Sequence, residues 1–308
     1  MDEFELIERF FKDRGAHRGD VVLGVGDDAA VLAPPPGHEL LFTTDTLVAG
    51  RHFPADGFPP RALGHRALAV NLSDIAAMGG KPAWALMALS LTIADEGWLA
   101  EFAGGFATLA ERCDVALVGG NLARGPLAVT VTLAGFASVG ESLARSGARV
   151  GDMLFVTGAL GGGAAGLRAL GQGAAIDSPQ VRPYAWPEPR VNAGHALASY
   201  VHAAIDISDG LAGDLAKLLA ASGGLGAELE SDAVPLAPGA TLADALGPSD
   251  DYELLLAIPS ALAAAVAALS PARLGCSLSR IGRVVATPGI RLGGEQFTAE
   301  TLQGYRHF

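Results

Sequence analysis

The chain has 308 residues, half of them hydrophobic, and a formal net charge of −12. This length and apolar content suffice for a large core, and we interpret the chain as two domains. The negative charge disfavours broad electrostatic binding to nucleic acid or to anionic membranes. The sequence predicts a cytoplasmic protein, because its two cysteines have no metal-binding spacing, its N-terminus is acidic where a signal peptide would be basic, and no apolar run approaches the ~20 residues of a membrane span.

Helix and strand patterns alternate through the first half of the chain. Apolar residues at helical spacing predict a first helix that carries Phe4, Ile7, Phe10 and Phe11. The elements predicted after it are strands at 21–25 and 39–44, a buried helix at 61–78, a strand at 83–93, a helix that starts at the N-cap Asp95 and ends near 112, and strands at 115–118 and 127–139.

The polar, glycine-bounded segment 140–147 predicts the domain boundary, which divides the chain into residues 1–139 and 140–308. The second domain is predicted to have strands at 153–157, 203–207, 226–230, 253–258 and 278–285, helices at 161–170, 190–199, 209–221 and 259–269, and a proline-rich loop at 178–189. The predicted fold class is therefore α/β of the mixed α+β type, in two domains.

Short stretches that carry aspartate stand out in this charge-poor chain. They are Gly26–Ala30, Thr43–Thr46, Asn71–Asp74, Asp206–Gly210 and Asp250–Glu253. A single aspartate beside glycine or serine is more often a turn or a helix cap than a metal ligand. Asp28, Asp45 and Asp206, however, adjoin strand-like apolar runs, where a carboxylate is costly to desolvate unless a cation or donors meet it. Mg²⁺ takes oxygen ligands and commonly binds through a few carboxylates and substrate phosphates, so the set indicates phosphate chemistry.

Asp74 lies in the helix that is predicted to be buried. Asn71, Asp74 and Met78 fall on one face of that helix, so the amide and the carboxylate need a polar partner in a neighbouring element. The alternative is an internal salt bridge to an arginine.

The common phosphate-binding motifs are absent from the sequence. Gly79-Gly80-Lys81 is followed by Pro82 at a helix end, and the stretch Gly158–Gly163 contains no lysine, so neither is a P-loop. No dinucleotide fingerprint and no protein-kinase element is present. A polyphosphate would therefore be bound through metal ions and a few placed arginines.

The motifs resemble those of the thiamine-monophosphate kinases, and they occur in the same order. The matching stretches are Gly-Asp-Asp-Ala-Ala-Val, Thr-Asp-Thr-Leu-Val-Ala-Gly-Arg-His-Phe, Ala-Val-Asn-Leu-Ser-Asp-Ile-Ala-Ala-Met-Gly, Arg-Ser-Gly-Ala-Arg-Val-Gly-Asp and Ile-Ser-Asp-Gly-Leu. The resemblance covers nearly the whole chain, and two of these motifs are shared with the wider ATP-binding superfamily that includes aminoimidazole ribonucleotide synthetase. It implies a two-domain aminoimidazole-ribonucleotide-synthetase-like fold, with an N-terminal domain that binds metal and ATP and forms a β-barrel shared across a homodimer, and a C-terminal domain that covers the nucleotide and the substrate.

The resemblance also implies an activity, the ATP-dependent phosphorylation of thiamine monophosphate to thiamine diphosphate by direct in-line transfer, assisted by several Mg²⁺ ions and by K⁺. No strong general base is expected, since the acceptor phosphate is already ionised near neutral pH. Carried over position by position, the metal ligands are Asp28, Thr43, Thr44, Asp45, Asp74, Asp206 and Asp209, with Asn121 as a further position; the ATP contacts are Gly120, Asn121, Arg145 and Ser208; and the substrate contacts are His52, Asp250, Leu302 and Tyr305.

Three positions depart from the family pattern. Asn121 replaces a carboxylate ligand with a neutral amide, Asp250 is one methylene shorter than the usual glutamate, and Leu302 stands where an aromatic residue is frequent, so that Tyr305 is the remaining aromatic candidate for ring contact. These departures leave open how many metal ions bind and which acceptors are tolerated.

Alternatives stay open at single residues and for the whole chain. Without the resemblance, Arg145 is equally a surface arginine, His52 a solvated loop histidine, and Gly119-Gly120 an ordinary turn at a strand end. The chain as a whole has two other interpretations. One is a different superfamily enzyme, such as an aminoimidazole ribonucleotide synthetase-like ligase or a selenophosphate synthetase, the latter disfavoured because neither cysteine lies in an N-terminal reactive position. The other is a paralogue that binds nucleotide with little turnover.

Overall fold

The computed structural model describes residues 2–297, which divide into two units by their internal contacts. One unit contains the residues up to Ile75 together with Gly80–Gly140, and the other contains Ala76–Gly79 together with the residues from Glu141 onward. Leu302 and Tyr305, predicted to contact the substrate, lie outside the described residues. Helices and sheets are mixed in both units, which confirms the predicted fold class.

A four-stranded sheet forms the framework of the first unit. Its strands are β3 (His38–Val48), β4 (Lys81–Leu91), β5 (Ala116–Arg124) and β6 (Ala128–Ser138), in the order β3-β6-β4-β5. The strands β4 and β5 run parallel, and the other two pairs are antiparallel. The remaining elements are α1 (Glu3–Phe10), α2 (Pro60–Ala77), α3 (Glu96–Arg112) and the short antiparallel pair β1 (Val21–Leu23) and β2 (Val31–Leu32).

Helix α2 is buried because α3 packs directly against its backbone. A Cβ on Gly64 would lie 2.0 Å from the carbonyl oxygen of Phe102, and a Cβ on Gly105 would lie 1.9 Å from that of Arg61. Only glycine permits so close a crossing. The helix is followed by Gly79 in the left-handed conformation (φ 69°), as the sequence predicts. The crossing fixes the position of α2 and therefore of the polar residues that it carries.

A seven-stranded sheet forms the framework of the second unit, in the order β13-β12-β9-β11-β7-β10-β8. The strands are β7 (Met153–Thr157), β8 (Ala203–Ile207), β9 (Gly226–Leu229), β10 (Glu253–Ile258), β11 (Leu278–Val285), β12 (Gly289–Leu292) and β13 (Glu295–Gln296). The helices are α4 (Gly162–Gly171), α5 (Arg182–Ala185), α6 (Val191–Leu197), α7 (Leu211–Ala221), α8 (Leu242–Leu246), α9 (Ser260–Ala267) and α10 (Pro271–Leu274). β10 is buried along its whole length between two apolar clusters, one on each face of the sheet.

Several predicted bounds agree with the structure and others are wrong. The predicted strands 153–157, 203–207, 253–258 and 278–285 have the observed bounds, and Asp95 caps α3 by accepting the Trp98 N–H at 2.7 Å. The strand predicted at 39–44 instead runs to Val48, because pairing with β6 outweighs the low strand propensity of aspartate. The strand predicted at 21–25 ends at 23, and the one predicted at 115–118 continues to 124. The sequence did not predict α5, α8, α10, β2, β12 or β13.

Within residues 2–297, no helix combines the length and the apolar character that crossing a membrane would require.

Two glycines of α4 test the packing of the second unit. A Cβ on Gly163 would lie 1.9 Å from the carbonyl oxygen of Ser249, whereas a Cβ on Gly171 would meet no atom within 4 Å. We expect Gly163→Ala to lower the free energy of unfolding by about 1–3 kcal/mol through overpacking. The matched change Gly171→Ala should raise it by about 0.5–1 kcal/mol, since alanine loses less backbone entropy in a helix. Urea unfolding midpoints measure both, and equal effects at the two positions would contradict the packing described.

Candidate functional site

The first group of predicted ligands lies on β3 and α2. Thr43, Thr44 and Asp45 are consecutive on β3, so Thr43 and Asp45 face one side of the sheet and Thr44 the other. The Thr43 hydroxyl donates a hydrogen bond to Oδ2 of Asp74 on α2. The Thr44 hydroxyl instead lies 3.0 Å from that of Thr132 on β6. The structure therefore brings Thr43, Asp45 and Asp74 together and directs Thr44 away from them.

Asp45 and Asp74 form a pair of mutually repelling carboxylates. Desolvation by the surrounding protein, and next the negative charge of Asp74, raise the pKa of Asp45 to about 6. Asp45 is still exposed by its solvent-accessible area, so an ion can reach it. Two close carboxylates and a hydroxyl, open to solvent, are a donor set that suits a hard divalent cation. The polar partner that the sequence predicts for Asp74 is the Thr43 hydroxyl.

Asn71 lies one helical turn before Asp74 and is fully buried. Its Nδ2 donates to the carbonyl oxygen of Ala67 at 3.1 Å, but its Oδ1 accepts no hydrogen bond from the described residues. An unsatisfied buried acceptor costs about 1–3 kcal/mol. The face of α2 that the sequence singles out thus carries one acceptor without a partner, Oδ1 of Asn71, and one carboxylate, that of Asp74, which accepts the Thr43 hydroxyl.

The second group of predicted site residues lines a cavity of about 460 Å³ in the first unit. Its polar lining includes Asp27, Asp28, Gly120 and Asn121. Its apolar lining comes from α1 and the residue that follows it, from β4 and from the edge strand β5: Phe4, Ile7, Phe11, Met87, Leu89, Leu117 and Leu122. The cavity therefore has polar and apolar groups suited to a ligand that is charged at one end and apolar at the other.

Two expectations for this cavity need correction. Asp28 is exposed, so it does not carry the desolvation cost predicted from its apolar neighbours in the sequence. Gly120 lies inside β5 rather than at a strand end, at φ 151°. A Cβ there would lie 1.9 Å from the carbonyl oxygen of Met87, so close strand pairing accounts for this glycine.

His52 lies in the turn that follows β3. Its Nδ1 accepts the backbone N–H of Val48 at 2.9 Å, and the residue is half-buried. The ring is therefore held by the turn and is not the freely solvated histidine of the alternative interpretation.

The end of β8 positions the candidates of the second unit. Asp206 lies on β8 and is only 5% exposed, and Ser208 and Asp209 form the turn before α7. Oδ2 of Asp214 accepts the backbone N–H groups of Ser208 at 3.0 Å and of Asp209 at 2.9 Å. Lys217 donates to Oδ2 of Asp209 and, at 2.8 Å, to Oδ1 of Asp214. The carboxylate of Asp209 is thus already paired.

Sequence reasoning missed Asp214 and Lys217, which hold this turn. Burial raises the pKa of Asp214, although Lys217 acts in the opposite direction. Burial acts to lower the pKa of Lys217, but the bonds to Asp209 and Asp214 more than offset it and raise the pKa. The only signal in the sequence is an acidic residue three positions before a lysine on a helix, which is typical of many ordinary helices.

Asp250 lies beside this turn. Its backbone N–H donates to the carbonyl oxygen of Ser208 at 3.1 Å, and that of Tyr252 donates to Ile207 at 2.8 Å. Asp250 and Tyr252 adopt left-handed φ values of 53° and 54°, a conformation that costs on the order of 1–3 kcal/mol per residue. Backbone strain of this kind is typical of functional sites.

Arg145 has an exposed side chain, and within residues 2–297 its guanidinium forms no ion pair. Across the same residues, no three histidine, cysteine, aspartate or glutamate side chains are grouped as a complete metal site. A bound metal ion would therefore take hydroxyl, phosphate or water ligands as well as carboxylates, as is usual for Mg²⁺.

Comparison with protein families identifies both halves of the chain. The family model described as AIR synthase related protein, N-terminal domain, matches residues 26–138, and the corresponding C-terminal domain matches residues 149–295. The thiamine-monophosphate kinase of Salmonella typhimurium is 38% identical over 325 aligned positions, which cover 99% of this chain and 98% of the relative. That of Escherichia coli K12 is 39% identical over 322 positions, with the same coverage.

Solved structures agree with this result. The thiamine-monophosphate kinase of Stenotrophomonas maltophilia K279a superposes with a TM-score of 0.84 at 38% identity and covers 91% of this chain and 93% of that one. A structure described as AaThiL complexed with AMPPCP and TMP has a TM-score of 0.78 at 31% identity and covers 92% of each chain. The resemblance noted in the sequence is confirmed.

The raised pKa of Asp45 predicts a pH-dependent stability. Because the pKa of about 6 in the folded protein exceeds the ordinary value of 3.8, the folded state holds this proton more tightly than the unfolded chain. The stabilisation that comes from binding this proton is fully present below about pH 4 and is lost as the pH rises through about 6. In metal-free protein, we expect Asp45→Asn to raise the melting temperature at pH 8, and the gain should shrink towards pH 4.

The control for this experiment is Asp13→Asn, since Asp13 is an exposed aspartate in a left-handed turn that asparagine tolerates. It shows the general effect of an aspartate-to-asparagine change at each pH. A gain for Asp45→Asn that does not change with pH would show that the pKa of Asp45 is not raised in the folded, metal-free protein.

Proposed function

Because the chain belongs to the thiamine-monophosphate kinases of the AIR synthase-related family, we propose that it transfers the γ-phosphoryl group of ATP directly to thiamine monophosphate, forming thiamine diphosphate and ADP. It is an enzyme, a phosphotransferase whose acceptor is a phosphate group. The observation that carries the proposal is the match over 92% of both chains to a relative bound to AMPPCP and TMP, which we interpret as an ATP analogue and thiamine monophosphate.

The chemistry requires alignment and charge neutralisation more than proton removal. The acceptor phosphate is already ionised near neutral pH, so in-line attack needs no strong general base. Mg²⁺, when bound, would neutralise and orient the phosphate oxygens. Asp45 and Asp74 fit such an ion because their mutual repulsion is relieved by a cation, and Thr43 holds Asp74 in place. Asp28 and Asn121 would supply further oxygen ligands from the cavity that they line.

The residues of the second unit would contribute differently. Asp206 is proposed as a metal ligand from the resemblance, and it lies at the end of β8, beside the turn that carries Ser208 and Asp209. Asp209 is already paired with Lys217, so a metal ion would have to displace that ammonium group. Ser208 and Arg145 are proposed to contact ATP, and an exposed guanidinium can bind phosphate through two parallel hydrogen bonds. His52 and Asp250 are proposed to contact the acceptor.

A homodimer is proposed through the exposed face of β3. Alternate residues of this strand place apolar side chains in solvent: Leu40 is 46% exposed, Phe42 67% and Val48 37%. Leu86 on β4 adds a further residue that is 44% exposed. An exposed apolar face on a sheet is a site for pairing with another chain, which favours the shared barrel implied by the family. We also propose a cytoplasmic setting, where ATP is available.

A nucleotide-binding paralogue is the second candidate. Asn121 favours it, because this neutral amide lines the same cavity as Asp28 and replaces a charge that would help to hold a metal ion.

The direct test is product chromatography after the protein is mixed with ATP, Mg²⁺, K⁺ and thiamine monophosphate, with free thiamine as the control acceptor. We expect thiamine diphosphate and ADP in equal amounts from the monophosphate alone. Asp45→Asn should lower kcat/KM at least ~100-fold, since a metal ion contributes several kcal/mol to phosphoryl transfer. ATP binding without any diphosphate would favour the paralogue, and full activity of Asp45→Asn would remove Asp45 from the metal site.

The dimer has its own test. We expect Phe42→Asp to convert the protein to a monomer in light scattering after size exclusion, because it puts a charge into an apolar interface. Ile93→Asp is the matched control, since Ile93 is 77% exposed but lies outside the strands. A monomeric wild-type protein, or dissociation by both changes alike, would contradict the proposed interface.

A further inference from the structure

The loop from Ser249 to Glu253 is packed against the N-terminal end of α4. A Cβ on Gly163 would lie 1.9 Å from the carbonyl oxygen of Ser249 and 2.7 Å from that of Asp250. Glycine at this position lets the two backbones touch. The loop contains the two left-handed residues, Asp250 and Tyr252, and between them lies Asp251, to which no role is assigned above.

Asp251 fastens this loop to α4. Its Oδ2 accepts the backbone N–H of Gly161 at 2.7 Å, and its Oδ1 accepts that of Gly163 at 3.1 Å. The residue is only 9% exposed, so both bonds are shielded from water. The donors are backbone groups at the start of a ten-residue helix, where the helix dipole favours a negative charge. Both carboxylate oxygens are therefore engaged by rigid backbone.

Tyr252 holds Asp250, which lies two residues before it in the chain. Its side chain is 7% exposed, and its hydroxyl donates to Oδ1 of Asp250 at 3.2 Å. Its backbone N–H is bonded to Ile207, and that of Asp250 is bonded to Ser208. Asp250 is thus held from both sides, by the end of β8 and by the buried ring that follows Asp251.

We propose that Asp251 is a positioning residue for the acceptor, which acts by clamping the strained loop to α4 so that the carboxylate of Asp250 is presented in one orientation. The inference rests on the proposed function, in which Asp250 contacts the acceptor. Thiamine monophosphate carries a cationic thiazolium ring and an aminopyrimidine, and a fixed carboxylate complements both groups. Tyr252 completes the arrangement through its bond to Asp250.

The competing explanation is that Asp251 merely stabilises the second unit. Asp152 offers a matched control, since it is 3% exposed and its carboxylate accepts the Arg149 N–H at 2.8 Å and lies 3.0 Å from Nδ1 of His202. It precedes β7, at the end of that strand opposite Thr157. A purely structural role predicts similar consequences for Asp251→Asn and Asp152→Asn.

The experiment compares wild-type protein with Asp251→Asn, Tyr252→Phe and Asp152→Asn. It measures the Kd of thiamine monophosphate and of a non-hydrolysable Mg·ATP analogue by calorimetry, and KM and kcat in the product assay. We expect Asp251→Asn to raise the Kd and KM for the acceptor about tenfold and Tyr252→Phe to raise them about threefold, because each loses a hydrogen bond that fixes Asp250. The nucleotide Kd should stay within about twofold throughout, and Asp152→Asn should lower the melting temperature without changing the acceptor Kd.

Three outcomes would overturn the inference: an unchanged acceptor Kd in Asp251→Asn and Tyr252→Phe, an equal change in Asp152→Asn, or parallel loss of nucleotide and acceptor binding. If Asp251→Asn does not fold, Tyr252→Phe alone decides between these results. A wild-type protein that neither binds nor phosphorylates thiamine monophosphate contradicts the proposed function itself, and this result is visible before any variant is measured.

Discussion

The burial of the Asp45 carboxylate beside that of Asp74 is the physical constraint from which the proposed chemistry of the first unit follows. The fold places them together by two independent means, the pairing of β3 with β6 and the close crossing of α2 over α3 at two glycines. Neither element gains stability from bringing two negative charges into a partly desolvated position, and the pKa of Asp45 rises to about 6 as a result. A cation turns this unfavourable contact into a binding site, so the strain in the metal-free protein and the proposed catalytic role have the same physical origin.

The second unit positions its polar groups with backbone contacts. Glycines at 163 and 210 allow loops to approach so closely that a Cβ at either position would lie 1.9 Å from a carbonyl oxygen. Buried carboxylates then accept backbone N–H groups: Asp214 holds the turn after β8, and Asp251 holds the start of α4. In both places an aspartate with no proposed ligand contact holds the backbone next to a residue that is proposed to contact one. Under the proposed function, this division would give the consecutive acidic residues Asp250 and Asp251 different roles.

The sequence predicted much of the fold and part of the site. Strong periodicity fixed elements such as 153–157 and 203–207, and the spacing of Asn71 and Asp74 correctly indicated a polar face on a buried helix. The length of β3 could not be predicted from the sequence, because its continuation through Asp45 depends on pairing with a strand some 85 positions away. Asp214 and Lys217 were missed for a similar reason: what distinguishes them from an ordinary helical ion pair is the turn that they hold, and only the tertiary structure shows it. Gly120 was assigned to a strand end because the strand continues beyond the residues that favour it locally.

The most direct test of the account is a calorimetric Mg²⁺ titration at pH 6 in buffers of different ionisation enthalpy, which measures the protons released on binding. If the ion binds between Asp45 and Asp74, a substantial fraction of a proton should leave the wild-type protein for each ion bound at this site, because about half of the Asp45 carboxyl groups are protonated near a pKa of about 6. Release should vanish at pH 8, where the group is already ionised, and Asp45→Asn should bind weakly without release. Tight Mg²⁺ binding by Asp45→Asn, or binding to wild-type protein at pH 6 without proton release, would contradict the central claim.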